Sequence, residues 1–182
     1  MTSTRVNPRS SGAWIKGILI SEKRIKERIK ELAEEISRDY FKKEVLLVAI
    51  LDGSIVFLSD LIRELKINFS IDFVSVSSYE GSKSTGKVNI LKEMRNDPSE
   101  KNVLLVEDII DTGFTLDQVR RSILSKNPSS LKICVLLDKS DARKIPVDID
   151  YAGFKIPKQF VVGYGLDYNG KHRGLPFIGV FE

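Results

Sequence analysis

Apolar residues recur along the chain at two spacings, which predict helices that alternate with strands. The first helical stripe follows Ser21, a predicted N-cap. Its apolar residues are Ile25, Ile29, Leu32, Ile36 and Tyr40. Those of a second helical stripe are Phe57, Leu58, Leu61, Ile62 and Leu65. Short runs rich in branched residues predict buried strands at 45–51, 71–76, 103–106 and 131–137.

The order of these elements predicts the fold class. We expect a helix after each of the strands at 71–76 and 103–106. The apolar residues of the second of these helices are Leu116, Val119, Ile123 and Leu124. Strands that alternate with amphipathic helices predict an α/β fold with a central, mainly parallel sheet flanked by helices. Ligands of such folds bind near the carboxyl ends of the strands.

Three stretches depart from this alternation. Residues 1–11 are polar without periodicity, which predicts a mobile tail. Residues 77–87 are mostly Ser, Gly, Thr and Lys, which is typical of a flexible loop or lid. The chain from 142 onward is rich in Gly, Pro and aromatic residues. Its short strand-like pieces at 160–162 and 178–181 predict a small substructure beside the sheet.

Composition excludes several classes of protein. The 182 residues, 42% hydrophobic and 30% charged, fit one globular domain. A single cysteine, Cys134, and a single histidine, His172, cannot form a zinc cluster. The longest apolar run, 45–51, is far shorter than the roughly 20 residues of a membrane span. The first residues lack the apolar core of a secretory signal, so we expect a cytoplasmic protein. The net charge of +4 suits anionic small molecules or nucleic acid without deciding between them.

Two adjacent carboxylates, Glu107 and Asp108, directly follow the buried strand at 103–106. Acidic side chains at the end of a buried strand are unfavourable unless they face water, a cation or hydroxyl groups. Carboxylates in this position suit a magnesium ion shared with a polyol phosphate.

The next residues, Asp111-Thr112-Gly113-Phe114-Thr115, precede the predicted third helix. Gly113 permits an unusual backbone angle, and free N–H groups at a helix start favour a bound phosphate. This short pattern alone leaves an alternative open, in which Asp111 or Thr115 merely caps the helix and the two acids form a solvated turn.

The complete order of apolar strand, acid pair, Asp-Thr-Gly-x-Thr and helix is more specific. It closely resembles the phosphoribosyl-pyrophosphate signature of the type I phosphoribosyltransferases. Other segments resemble one branch, the hypoxanthine-guanine phosphoribosyltransferases, from about residue 18 to 180. Ser78-Tyr79 with 84–86 resembles the flexible catalytic loop of that branch, and 137–139 resembles the segment that carries its purine-reading lysine. Residues 153–168 resemble its base-binding flap, and Arg173 its pyrophosphate-contacting arginine.

The resemblance implies a reaction and a domain plan. A purine base, hypoxanthine or guanine, would react with phosphoribosyl pyrophosphate to give IMP or GMP plus pyrophosphate, with Mg²⁺ as cofactor. The chain, 1–182, would be one phosphoribosyltransferase domain. Its core would span about 40–140, and a small hood would come from about 12–20 and 142–182. The family also implies a homo-dimer or homo-tetramer, and an unusual cis peptide in the loop at Asp52.

Roles in the reaction are implied by the same resemblance. Substrate would contact the whole run of Glu107, Asp108, Ile109, Ile110, Asp111, Thr112, Gly113, Phe114 and Thr115. Glu107 and Asp108 would hold the ribose hydroxyls, directly or through magnesium, and Asp167 would bind a second magnesium. Asp111 would be the catalytic residue that accepts the N7 proton of the base.

The base and the pyrophosphate have their own implied contacts. Lys139 would donate to a purine 6-oxo group and so reject adenine, whose 6-amino group is also a donor. Phe160 would stack on the base, and the backbone of Val161 and Asp167 would read its edge. The lid residues Ser78 and Tyr79 would exclude water.

In the pyrophosphate loop, Gly53 and Ser54 would offer backbone N–H groups. The preceding residue is Asp52, where the family often carries Lys or Arg. We expect the Asp52 side chain to point away from pyrophosphate, toward a neighbouring basic residue.

Two alternatives remain at this point. Xanthine could be used instead of, or beside, hypoxanthine and guanine. A protein of a different class could keep the fold as a nucleotide-sensing regulator that binds nucleic acid. The chain shows no appended helix-turn-helix, arginine-rich arm or aromatic-basic repeat, which argues against nucleic acid as a partner.

Overall fold

The computed structural model describes residues 14–78 and 88–182. In chain order its elements are β1 (Ile15–Ile20), α1 (Glu22–Asp39), β2 (Glu44–Leu51), α2 (Ile55–Glu64), β3 (Asn68–Ser78), β4 (Val88–Lys92), β5 (Asn102–Ile110), α3 (Phe114–Leu124), β6 (Ser130–Asp138), β7 (Tyr151–Lys155), β8 (Val161–Val162) and β9 (Ile178–Phe181). A 3₁₀ turn, Ser140–Ala142, follows β6. The predicted tail, 1–11, and most of the predicted lid lie outside the described residues.

The central sheet has the strand order β4-β3-β2-β5-β6-β7. All neighbouring strands in it are parallel except β3 and β4, which are antiparallel. A second, antiparallel sheet has the order β1-β9-β8. The predicted α/β fold with a mainly parallel sheet is therefore confirmed.

Both faces of the central sheet are buried, which explains why its strands read as continuous apolar runs. In β2, Leu47 and Ala49 face one core, which α1 and α2 cover. Leu46, Val48 and Ile50 face the other core, to which α3 contributes. Residues two apart on a strand share a face, so one short segment supplies both cores.

Helix α1 forms as its sequence predicts. The hydroxyl of the N-cap Ser21 accepts a hydrogen bond from the Arg24 backbone N–H. Its apolar stripe is buried against the sheet, while lysine, arginine and glutamate side chains form ion pairs on the outer face. No helix in the described residues has both the length and the apolar character needed to cross a membrane.

Three expectations about the elements are wrong. Among the described residues between β3 and β5 there is no helix; the five residues of β4 pair antiparallel with β3 instead. The strand predicted at 103–106 does not end before the acid pair, because β5 continues to Ile110, and Glu107 lies opposite Val135 of β6. Residues 151–155 do not belong to the hood, because β7 pairs with β6 in the central sheet.

The small sheet joins distant parts of the chain. Ile18 of β1 lies opposite Gly179 of β9, and Val161 of β8 lies opposite Val180. Beyond β1 and β9, the backbones of Trp14 and Glu182 exchange two hydrogen bonds of 2.9 and 3.0 Å. This sheet therefore holds β8, which lies within the predicted base-binding flap, against β9, and β9 against β1.

Asp72 fixes the chain after β4 to strand β3. Its buried carboxylate accepts hydrogen bonds from the backbone N–H groups of Phe73 (2.8 Å) and Asn96 (2.6 Å). Burial by itself would raise the pKa of Asp72, but these backbone donors outweigh it and hold the pKa below the ordinary value of 3.8.

We predict that Asp72→Asn lowers the free energy of unfolding at pH 7 by about 1–3 kcal/mol, because a charged acceptor of two hydrogen bonds is lost. A carboxyl group with a lowered folded-state pKa stabilises the fold above its unfolded pKa, and this stabilisation is lost as the pH falls through the folded value. The difference between variant and parent should therefore shrink below about pH 4. Urea unfolding across this range measures it, with the exposed Asp148→Asn as control. An equal difference at every pH would contradict the assignment.

Candidate active site

Loops from three parts of the chain meet at the carboxyl end of the central sheet. Gly53 follows β2, and a Cβ added there would overlap the Asp108 carboxylate of β5. Gly165 has a φ of +98°, and a Cβ added there would overlap the carbonyl oxygen of Gly53. The absence of side chains at these two glycines lets the loops approach Asp108 and each other closely.

Glu107 and Asp108 have unfavourable surroundings for their charges. Asp108 is buried, and the Glu107 Oε2 atom is buried with no hydrogen-bond partner among the described residues. Burial, followed by the neighbouring Asp108 charge, raises the pKa of Glu107 well above its usual value. Burial also raises the pKa of Asp108 to about 6, although the Ile109 N–H (2.8 Å) donates to its carboxylate. A cation or hydroxyl donors bound here would relieve both groups.

The predicted phosphate cradle has the expected backbone form. Gly113 has a φ of +90° and is the N-cap of α3, and a Cβ there would lie only 2.7 Å from the Ile145 carbonyl oxygen. Because the N-cap is a glycine, neither Asp111 nor Thr115 caps the helix, and that alternative is wrong. The carbonyl of Thr112 accepts hydrogen bonds from the N–H groups of Lys144 (3.0 Å) and Ile145 (3.1 Å). The cradle is thus fixed from behind, at the positive end of a helix dipole.

Asp111 and Lys139 form an ion pair beside the cradle. The Lys139 Nζ lies 3.2 Å from Asp111 Oδ2. The Lys139 side chain is only 9% exposed, whereas that of Asp111 is 49% exposed. The Lys139 N–H also donates to the Ile110 carbonyl (3.0 Å), which ties the ends of β5 and β6 together. Lys139 is therefore held inside the site and is not a solvated surface charge.

Arg173 connects Asp167 to the loop after β2. Its guanidinium lies 2.8 Å from Asp167 Oδ1 and donates to the Gly165 carbonyl (2.6 Å). The other Asp167 oxygen accepts from the Gly170 N–H (2.7 Å). Arg173 Nη2 also lies 4.0 Å from Asp52 Oδ2, on a side chain that is 76% exposed. Arg173 is thus the basic residue beside Asp52, and the Leu51–Asp52 peptide bond is cis.

The remaining predicted residues differ in burial and in their contacts. Phe160 is 52% exposed and stands edge-on to Tyr168, with ring centroids 5.8 Å apart, while Val161 is buried in β8. Ser54 is buried, and its hydroxyl donates to the Ile50 carbonyl. Ser78 ends β3, and Tyr79 lies outside the described residues.

Some residues that support the site have no clear signal in the sequence. Asp138 and Arg143 form a buried ion pair next to Lys139. The Tyr164 hydroxyl donates to Asp60 of α2 (2.5 Å), and this bond anchors the segment that carries Asp167. A charged residue at the end of the buried strand at 131–137 was the only available signal for Asp138. Nothing in the sequence pairs it with Arg143.

The acidic residues fit a magnesium ion only together with a substrate. Within 14–78 and 88–182, no cluster of three or more His, Cys, Asp or Glu side chains could hold a metal. Magnesium is commonly bound by one or two carboxylates plus substrate phosphates and water. The unpartnered Glu107 oxygen and the buried Asp108 carboxylate suit that mode of binding.

Comparison with known proteins assigns this chain to a family. The model of the phosphoribosyl transferase domain matches residues 19–169, which include the acid pair, the cradle and Lys139. The chain belongs to the phosphoribosyl transferase family. The predicted resemblance is therefore confirmed.

Several members of the phosphoribosyl transferase family are similar to this chain over nearly its whole length. A hypoxanthine phosphoribosyltransferase of Buchnera aphidicola is 49% identical over 165 residues, 89% of this chain and 93% of the relative. A hypoxanthine-guanine phosphoribosyltransferase of Staphylococcus aureus is 44% identical, covering 92% of this chain and 94% of the relative. The crystal structure of one from Bacillus anthracis matches with a TM-score of 0.88 at 44% identity, covering 94% of this chain and 100% of that one.

The close packing of Gly53 against Asp108 can be tested by substitution. We predict that Gly53→Ala destabilises the protein by about 1–3 kcal/mol, because the added methyl group must displace the buried Asp108 carboxylate or the loop. Thermal unfolding measures the loss. Gly174→Ala is the matched control, because a Cβ at Gly174 meets nothing within 4 Å. Equal stability of the two variants would contradict the close approach.

Proposed function

We propose that this phosphoribosyltransferase transfers the 5-phosphoribosyl group of phosphoribosyl pyrophosphate to hypoxanthine or guanine, giving IMP or GMP plus pyrophosphate. The observation that carries the proposal is the buried Lys139, held at Asp111 beside a phosphate cradle. A lysine donor placed there suits a 6-oxopurine attached to a ribose 5-phosphate. The names of the similar proteins, hypoxanthine and hypoxanthine-guanine phosphoribosyltransferases, support this choice of base.

The 5-phosphate binds to the start of α3. The residues Thr112, Gly113, Phe114 and Thr115 present backbone N–H groups and hydroxyls there, and the helix dipole adds a favourable potential. Ile109 and Ile110 carry the chain from the acids into this cradle. A phosphate fixed at this point places the anomeric carbon of the ribose over the end of β5.

Glu107 and Asp108 bind the ribose hydroxyls. Their burial disfavours the ionised carboxylates, so hydroxyl donors or a cation gain binding energy by restoring them to a polar environment. Glu107, Asp108 and Asp167 are the residues that would hold magnesium, which supplies positive charge to offset the leaving pyrophosphate. Arg173 now forms an ion pair with Asp167. When pyrophosphate binds Arg173, this ion pair would break and Asp167 would become free to hold magnesium.

Asp111 accepts the N7 proton of the base as the bond to the ribose forms. Its carboxylate is half-exposed and lies 3.2 Å from Lys139 Nζ, so a purine that contacts Lys139 would also come within reach of Asp111. Lys139 donates to the 6-oxo group, which withdraws negative charge from the ring and rejects the 6-amino group of adenine. Phe160 stacks on the purine, and the carbonyls of Val161 and Asp167 accept from its edge.

Pyrophosphate leaves between the loop after β2 and Arg173. Gly53 and Ser54 offer backbone N–H groups, and Arg173 offers the guanidinium that Asp167 now holds. Ser78 and Tyr79 begin a lid that excludes water from the reacting centre. We also propose that the protein is cytoplasmic, and that it forms a homo-dimer or homo-tetramer, as the family resemblance implies.

A spectrophotometric assay tests the proposal. Purified protein with Mg²⁺ and phosphoribosyl pyrophosphate should convert hypoxanthine and guanine, and leave adenine unused. Asp111→Ala should lower kcat by about 100- to 10,000-fold, because the proton acceptor is lost. Asp148→Ala, an exposed aspartate, is the control.

Xanthine carries a 2-oxo group, which needs a hydrogen-bond donor, whereas the carbonyls of Val161 and Asp167 are acceptors. Activity with xanthine would therefore extend the substrate class beyond the one proposed. If no base turned over while the chain still bound phosphoribosyl pyrophosphate or a nucleotide, the enzyme proposal would be overturned in favour of a nucleotide-sensing regulator. Retention on nucleic acid that weakens with salt would then identify that class.

Asp52 is predicted to weaken pyrophosphate binding by charge repulsion. Asp52→Lys should lower the Kd for pyrophosphate by about tenfold, since two unit charges change beside the leaving group. Isothermal calorimetry measures it. Glu44→Lys makes the same charge change at the exposed opposite end of strand β2 and should have little effect. Unchanged affinity with a lower melting temperature in Asp52→Lys would instead show a structural role for Asp52.

A further inference from the structure

Asp138 and Arg143 form an ion pair that the reaction scheme above does not use. Asp138 is the last residue of β6, and its Oδ1 accepts a hydrogen bond from Arg143 Nη2. The two side chains are only 9% and 15% exposed. A buried ion pair is weak evidence for a stabilising role, because apolar side chains of similar volume often serve as well. Its position in the fold is therefore more informative than its charge.

The pair closes the loop that carries Lys139. Arg143 Nη1 donates to the Val147 carbonyl (3.2 Å), so one guanidinium connects the beginning and the end of the segment 138–147. Inside this segment the Ala142 N–H donates to the Lys139 carbonyl (2.9 Å). The backbone of Lys139 is consequently held between the end of β6 and the 3₁₀ turn.

The same loop forms the rear wall of the phosphate cradle. The N–H groups of Lys144 and Ile145 both donate to the Thr112 carbonyl. The Arg143 Cδ lies 3.1 Å from the place where a Cβ of Gly113 would stand. Arg143 thus touches the cradle with its aliphatic stem, while its guanidinium holds the strand end next to Lys139.

We propose that Asp138 and Arg143 are positioning residues that fix the distance between the base-reading Lys139 and the phosphate cradle. This inference rests on the proposed function, since it takes Lys139 as the contact of the base. A nucleotide spans both positions, whereas ribose 5-phosphate contacts the cradle and the acid pair but does not reach Lys139. Loss of the pair therefore weakens the whole nucleotide more than the fragment.

Calorimetric binding of IMP and of ribose 5-phosphate tests the pair. Arg143→Met keeps the stem against Gly113 and removes the guanidinium. It should raise the Kd for IMP about tenfold. The reason is that a small displacement of Lys139 relative to the cradle keeps the base and the phosphate of one nucleotide from binding optimally at the same time. The Kd for ribose 5-phosphate should change less than about threefold. Asp138→Leu should act in the same way, whereas Asp138→Asn keeps an acceptor oxygen and should stay near the parent.

Arg28→Met is the matched structural control. Arg28 is also a partly buried arginine; it pairs with Glu35 and donates to the carbonyls of Ala152 and Gly153. Its loss should lower the melting temperature without a selective effect on IMP. If Arg143→Met does not fold, Arg143→Lys keeps the charge, loses the planar fork and should show the same selective loss.

Two results would overturn the inference by itself: IMP binding by Arg143→Met equal to that of the parent, or equal losses for IMP and ribose 5-phosphate. A parent protein that binds ribose 5-phosphate but not IMP would overturn the proposed function and, with it, the role of the pair. The parent measurement therefore separates the two failures.

Discussion

The burial of Glu107 and Asp108 at the end of a central strand constrains everything around it. Pairing with β6 keeps both residues in the strand, so neither carboxylate can turn out to solvent as it would in a loop. The loop after β2 must then cross directly over Asp108, and only a glycine at position 53 leaves room. Two carboxylates with raised pKa values are thus held ready for a cation or for hydroxyl groups.

The more exposed acidic residues of the site are paired with basic residues. Arg173 forms an ion pair with Asp167, and Lys139 forms one with Asp111. Each of these two carboxylates therefore has a basic partner in the protein without substrate. In the proposed reaction, pyrophosphate would replace Asp167 at Arg173, and a purine oxygen would replace Asp111 at Lys139. Each replacement would free a carboxylate, Asp167 for a cation and Asp111 for the N7 proton of the base.

Much of this arrangement could be predicted from local sequence, and the remainder depends on long-range pairing. The N-cap and apolar stripe of α1 and the cradle at Gly113 are local patterns, and they appear as expected. The extension of β5 through Glu107 depends on its partner β6, so an acidic pair seen alone resembled a turn. The return of the chain as β4 and the joining of β7 to the central sheet also depend on neighbouring strands. The pairing of Asp138 with Arg143 needs a loop path that no periodicity encodes.

A crystal structure of the chain with IMP is the most direct test of this site, because it shows the phosphate and the base together. We expect the phosphate on the N–H groups of residues 112–115 and the 6-oxo group within about 3 Å of Lys139 Nζ, with the ribose hydroxyls at Glu107 and Asp108. IMP bound with its base turned away from Lys139, or its phosphate away from the start of α3, would contradict this expectation.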